Sequence, residues 1–130
     1  MTLDELNKIS KQVLDAAIEV HKQLGPGLLE SVYEYCLCKE LELRNINYKK
    51  QVNIPVFYKN EPVGTNFIID ILVENELILE LKTVEKILPV HNAQLLSYLR
   101  LTNKRLGILI NFNVPRLVDG WKRIINGYDE

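Results

Sequence analysis

The chain has 130 residues, 47% of them hydrophobic and 25% charged, which is an ordinary soluble globular balance. That length builds one core without disulfides or a structural metal, so a single domain over residues 1–130 is expected. A formal net charge of -1 does not announce a nucleic-acid binder. No apolar run approaches a membrane span or a signal peptide, so a cytoplasmic protein without a membrane partner is expected.

Thr2-Leu3-Asp4-Glu5 fits a capping box, after which Leu6, Ile9, Val13, Ala17, Val20 and Leu24 recur at helical steps and form one apolar stripe. Gly25-Pro26-Gly27 stops that helix. A second helix is predicted from Leu28 to about Arg44-Asn45, with Leu29, Val32, Tyr33, Leu37 and Leu41 facing inward. Cys36 and Cys38 on this helix point roughly 200° apart, which suits free thiols rather than a disulfide or a shared metal.

From Tyr48 to Lys59 the pattern becomes strand-like, Val52, Ile54, Val56 and Tyr58 alternating, and Pro55 favours an edge or a bulge. A turn over Lys59–Pro62 leads into a strand centred on Asp70, and Glu74-Asn75-Glu76 turns the chain into another over Leu77–Thr83. Pro89 starts a third helix that runs to about Leu101, and a strand follows over Arg105–Phe112. Residues 117–125 suit a helix through Trp121 and Ile125, or a strand through Trp121, Arg123 and Ile125. The basic pairs Lys49-Lys50, Lys104-Arg105 and Lys122-Arg123 read individually as solvated charge.

Asp70 lies inside Phe67-Ile68-Ile69-Asp70-Ile71-Leu72-Val73, where an ionised carboxylate needs neutralising, pairing or a metal. On the next strand Glu80 and Lys82 share a face, with Leu79 and Leu81 behind. A hard divalent cation held by Asp70, Glu80 and the Leu81 carbonyl would polarise a phosphate and acidify a bound water, with Lys82 offsetting the developing charge. The same residues also suit a buried Asp70–Lys82 ion pair with Glu80 near the surface. Glu30 and Glu34, a mildly repulsive pair at i,i+4, read either as neighbours of a cation or as one solvated glutamate beside a core Tyr33. His91, Gln94 and Tyr98 fall on one polar stripe, where the amide and the phenol suit water or phosphate. Cys/His zinc spacing, a phosphate-cradling glycine loop and a nucleophile elbow are lacking, and neither His21 nor His91 has an adjacent serine or cysteine.

These pieces together resemble the PD-(D/E)XK nuclease superfamily, whose core is a helix, three antiparallel strands, a helix and a strand. Asp70 and Glu80-Leu81-Lys82 match its acidic and Glu-x-Lys strands, although Ile69 stands where the family name has proline. Gly27-Leu28-Leu29-Glu30-Ser31-Val32-Tyr33 resembles the motif of the GxxExxY branch, and Gln94-Leu95-Leu96-Ser97-Tyr98-Leu99 also looks like a family block. The resemblance implies a mixed α/β restriction-endonuclease-like core with an extra N-terminal helix, and an Mg²⁺- or Mn²⁺-dependent phosphodiesterase. Its catalytic residues would be Asp70, Glu80, Lys82, Glu30 and Gln94; its metal ligands Asp70, Glu80 and the Leu81 carbonyl, with Glu30 in or beside the shell. Tyr33 and Tyr98 would border the substrate. The implied partner is nucleic acid, DNA favoured over RNA, with a homodimer as one available assembly. The alternative is a non-catalytic nucleic-acid- or protein-binding module that keeps the fold.

Overall fold

Thr2 accepts from the Glu5 amide while the Glu5 carboxylate accepts from the Thr2 amide, and this capping box starts α1 (Leu3–Leu24). The computed structural model, which describes residues 1–127, continues with α2 (Glu30–Leu43), β1 (Tyr48–Tyr58), β2 (Glu61–Val73), β3 (Leu77–Lys82), α3 (Pro89–Thr102) and β4 (Leu106–Asn111). A 3-10 turn (Leu117–Gly120) then leads into β5 (Trp121–Ile125). The five strands lie in the order β1-β2-β3-β4-β5. Neighbours are antiparallel except β3 and β4, which are parallel and therefore need the crossover that α3 supplies.

Helices α1 and α2 cover one face of the sheet, where Leu6, Val13, Val20, Leu37 and Leu41 meet Ile71, Leu79, Leu81, Ile108 and Ile110. Helix α3 covers the other through Leu95, Tyr98 and Leu99 against Ile69, Leu72, Ile78 and Leu109. Coverage on both faces makes β3 and β4 nearly continuous apolar runs rather than alternating ones. Glycine at 107 lets α3 approach, because a Cβ there would lie 2.9 Å from a Leu95 methyl. No described helix is long and apolar enough to cross a membrane.

The start and the inward face of α2 differ from the sequence expectation, while the register settles residues 121–125 and agrees with the edge or bulge expected for Pro55. Helix α2 begins at Glu30, not Leu28, and Leu29 is an extended N-cap residue that is 73% exposed. Val32 is also exposed at 37%, so the inward face of α2 consists of Tyr33, Leu37, Cys38 and Leu41. Residues 121–125 form a strand because they pair with β4, from Ile110↔Trp121 to Leu106↔Ile125. Pro55 falls at a register shift on the edge strand β1, a place where a missing donor is tolerated.

Candidate active site

The site forms where the sheet comes apart. Strands β2 and β3 pair at Val73↔Leu77, Leu72↔Ile78 and Ile71↔Leu79, and the ladder ends there. Ile69 packs on the α3 side while Ile71 packs on the α1–α2 side, so the two-residue alternation breaks at Asp70. Side chains take over the lost ladder: Asp70 Oδ2 accepts from the Leu81 amide at 2.9 Å, and Glu80 Oε1 accepts from the Asp70 amide at 3.2 Å. The Lys82 carbonyl is taken on the β4 side by the Phe112 amide, so strand alternation turns the Leu81 carbonyl toward the gap on the β2 side.

Both carboxyls are held in an environment that resists their charge. Burial raises the Glu80 carboxyl to about 8, with the Asp70 charge adding to the rise and the Asp70 amide and Lys82 opposing it. Asp70 is likewise raised, by burial first and then by Glu34, against the Leu81 amide and Lys82. Glu80 is only 4% exposed, and among the described residues neither carboxylate forms an ion pair with Lys82. The sequence-based alternative, a buried Asp70–Lys82 pair with a surface Glu80, is therefore corrected: the acid is the buried partner and the ammonium stays apart. Lys82 is half-buried and reaches the Gln94 Oε1 of α3 at 3.5 Å.

Glu30 is the first residue of α2 and is exposed, yet its carboxyl is raised by shielding from water, then by Asp70 and Glu34, with Lys82 opposing. The structure thus brings Asp70, Glu80, Lys82, Glu30 and Gln94 to one place. Tyr98 joins them from α3; its ring tilts against Phe67 at 4.6 Å, and its hydroxyl is raised by burial and by the charges of Glu80 and Asp70. Tyr33 does not border the cleft. It is fully buried and its hydroxyl is engaged within the turn before α2, so the substrate-facing position expected for it becomes a structural one. His91 Nδ1 accepts from the Leu88 amide at 2.9 Å and serves the start of α3.

Sequence reasoning missed two parts of the site. Gln51 of β1 lies opposite Asp70 in the register, adopts φ 53 in mid-strand, and donates to Glu34 Oε1 at 2.7 Å. Glu34, for which the sequence left open a place beside a cation or in solvent, is a half-buried member of the acidic group. Asn111, 2% exposed and paired with Lys82 across β3–β4, bonds both main-chain groups of Val84 and fixes the exit from β3. A polar residue ending the apolar β4 run was the available signal for Asn111; nothing in the sequence marks Gln51.

The donor set offers oxygen only. Among the described residues no three His, Cys, Asp or Glu side chains form a ready-made cage. Two carboxylates and a carbonyl at an opened strand pair nevertheless suit a hard divalent cation, which commonly takes one or two protein carboxylates and keeps several waters. A cation there would also favour the charged forms that burial, first of all, disfavours in both acids.

The site is thus an acid–acid–lysine set at a split in a mixed sheet, flanked by helices on both faces, and not a structural ion pair. A family model described as the PD-(D/E)XK nuclease superfamily matches residues 7–124, and the chain belongs to that superfamily. Members of that superfamily generally use divalent metals. The crystal structure of SSO0001 is similar, with a TM-score of 0.58 at 21% identity over 76% of this chain and 50% of that one. At that identity the likeness speaks for the fold alone, and the chain spans about half the length of that protein. No curated protein matches.

Proposed function

We propose that this chain is a nuclease of the GxxExxY branch that hydrolyses phosphodiester bonds of nucleic acid, DNA before RNA, with Mg²⁺ or Mn²⁺. The observation that supports the reading is the buried Glu80 beside the half-buried Asp70, two carboxyls whose charged forms are disfavoured while the Lys82 ammonium stays out of ion-pair contact. Such a pair is costly in a protein that never binds a cation.

Asp70, Glu80 and the Leu81 carbonyl would hold the metal, with Glu30 beside them. The bound ion supplies polarisation of the phosphate and a more acidic water. Lys82, unpaired with either acid, offers its ammonium to the charge that grows on the phosphate oxygens. Gln94 accepts from Lys82 through Oε1, which leaves its amide hydrogens to orient water or a phosphate oxygen. Tyr98 presents its hydroxyl from the α3 side.

The test is incubation with labelled single-stranded, duplex and branched DNA and RNA, with Mg²⁺, Mn²⁺ or chelator. Cleavage of any of these that chelator stops supports the reading. Stabilisation by Mn²⁺ without cleavage of any substrate would leave a binding module, and no response to either ion would end the metal assignment.

A further inference from the structure

In the turn that leads to Glu30, the Gly25 amide donates to the His21 carbonyl at 2.7 Å, and a side-chain hydroxyl ties the two ends together. Gly25 at φ 69 and Gly27 at φ 97 take conformations that favour glycine, and a Cβ at either would meet nothing within 4 Å. Glycine is therefore required there by the backbone and not by crowding. Leu29, the N-cap residue of α2, makes no side-chain bond to the helix. The tie comes from Tyr33, whose hydroxyl donates to the Gly25 carbonyl and accepts from the Leu28 amide at 3.2 Å. Its ring stacks on Phe112 with centroids 4.5 Å apart and planes 10° from parallel. Phe112 in turn donates its amide to the Lys82 carbonyl at 3.0 Å, so the pin rests on the residue that anchors the end of β3.

We propose that Tyr33 is a positioning residue, its hydroxyl pinning the Gly25–Leu28 turn and thereby fixing the place from which Glu30 opens α2. The spacing Gly27-x-x-Glu30-x-x-Tyr33 then has one mechanical meaning: the glycine permits the turn, the tyrosine closes it, and the acid between them is aimed. The importance of Glu30 rests on the nuclease reading, but the pin itself is open to a measurement that needs no activity.

That measurement is a double-mutant cycle on the full chain without metal, read by denaturant midpoints. Tyr33→Phe removes only the hydroxyl and keeps the stacked ring. Glu30→Gln should raise the midpoint in the parent, because it removes one of several like charges held together. In the Tyr33→Phe background the same change should shift the midpoint by no more than half as much, since a released Glu30 turns away. Exchange of the Leu28 amide should accelerate on the order of tenfold in Tyr33→Phe, as loss of one hydrogen bond implies.

Gly27→Ala strains the same turn with Tyr33 intact and should show the same loss of coupling, which keeps the test available where Tyr33→Phe folds poorly. Equal shifts from Glu30→Gln in both backgrounds overturn the proposal, whatever a cleavage assay shows. In an active parent, Tyr33→Phe and Glu30→Gln should lower turnover to a similar level, with the double variant no lower. A parent that neither cleaves nor responds to Mn²⁺ counts against the nuclease reading, and the pin is then decided by the cycle alone.

Discussion

From Ile71 to Val73, β2 pairs row by row with Leu79 to Leu77 of β3, whereas one residue further along Asp70 and Glu80 have replaced that pairing with side-chain bonds. The regular end is apolar and fully buried, with Ile71, Val73, Leu77 and Leu79 all at 0% exposure. The open end holds one buried and one half-buried carboxyl whose charge the surroundings resist. Two adjacent stretches of the same strands thus do opposite things: one removes apolar area from water and stabilises, the other gives up ladder bonds and gathers repelling charge. Backbone irregularity of this kind collects at functional sites because neighbouring regular structure sustains it.

The largest effect should come from breaking the regular end. Leu79→Ala should destabilise by about 2–5 kcal/mol, as for other large-to-small core changes, while each folded molecule keeps its activity. Urea denaturation with cleavage assays on the folded fraction checks both halves. Next in size is Lys82→Ala, which should lower turnover on the order of 10²–10³ with little change in Mn²⁺ affinity, as for loss of one transition-state donor. Because Lys82 pairs with neither acid, its removal should not destabilise the fold as loss of a buried ion-pair partner would. A well-folded Lys82→Ala protein that cleaves at the parent rate would sink the catalytic role.

Glu80 should make the open end visible in the pH dependence of stability. Its carboxyl is raised in the folded chain to about 8, so the folded state keeps a proton that the unfolded state has already released. More protons bound to the folded state means that stability falls as pH rises. The loss begins near the ordinary glutamate value, about 4.3, and levels off above the folded value. Asp70 and Glu30, also raised, add in the same direction. Glu80→Gln should flatten this slope and raise metal-free stability at neutral pH by up to roughly a few kcal/mol, while abolishing stabilisation by Mn²⁺. Chemical denaturation between pH 4.5 and 8, with and without Mn²⁺, measures it. Strong destabilisation by Glu80→Gln with an intact metal response would contradict the repelling pair.

Most of the regular end was legible in the sequence, and less of the open one. Periodicity located the helices because the apolar stripe of α1 and the inward Leu37 and Leu41 of α2 repeat at helical steps. Asp70, Glu80 and Lys82 stood out because charge inside apolar strands is conspicuous. The break at Asp70 was hidden, since a change of face shows only against a neighbouring strand. Gln51 gave no sign of its positive φ, and the bonds of Asn111 span 27 positions. Leu29 was misread because it precedes α2 and helical phase does not apply to it, and Val32 because it sits one residue off the buried Tyr33–Leu37–Leu41 row. Residues 121–125 fitted both periods until pairing with β4 decided.

The smallest effect sharpens the comparison from the far side of Asp70. Gln51 holds φ 53 in the middle of the 11-residue strand β1, a conformation that costs a non-glycine residue roughly 1–2 kcal/mol. Gln51→Gly removes that strain but loses the bond to Glu34, worth about 0.5–1.5 kcal/mol. Glycine also has more freedom to lose on folding, roughly 0.5–1 kcal/mol. These terms nearly cancel, so the stability of Gln51→Gly should stay within about 1 kcal/mol of the parent. Gln51→Val loses the same bond and puts a branched side chain at positive φ, so it should fall more than about 1 kcal/mol below the glycine variant. The difference between these two variants, read from urea midpoints, isolates the backbone requirement from the side-chain bond. A valine variant as stable as the glycine one would show that the opened ladder does not depend on the left-handed turn opposite Asp70.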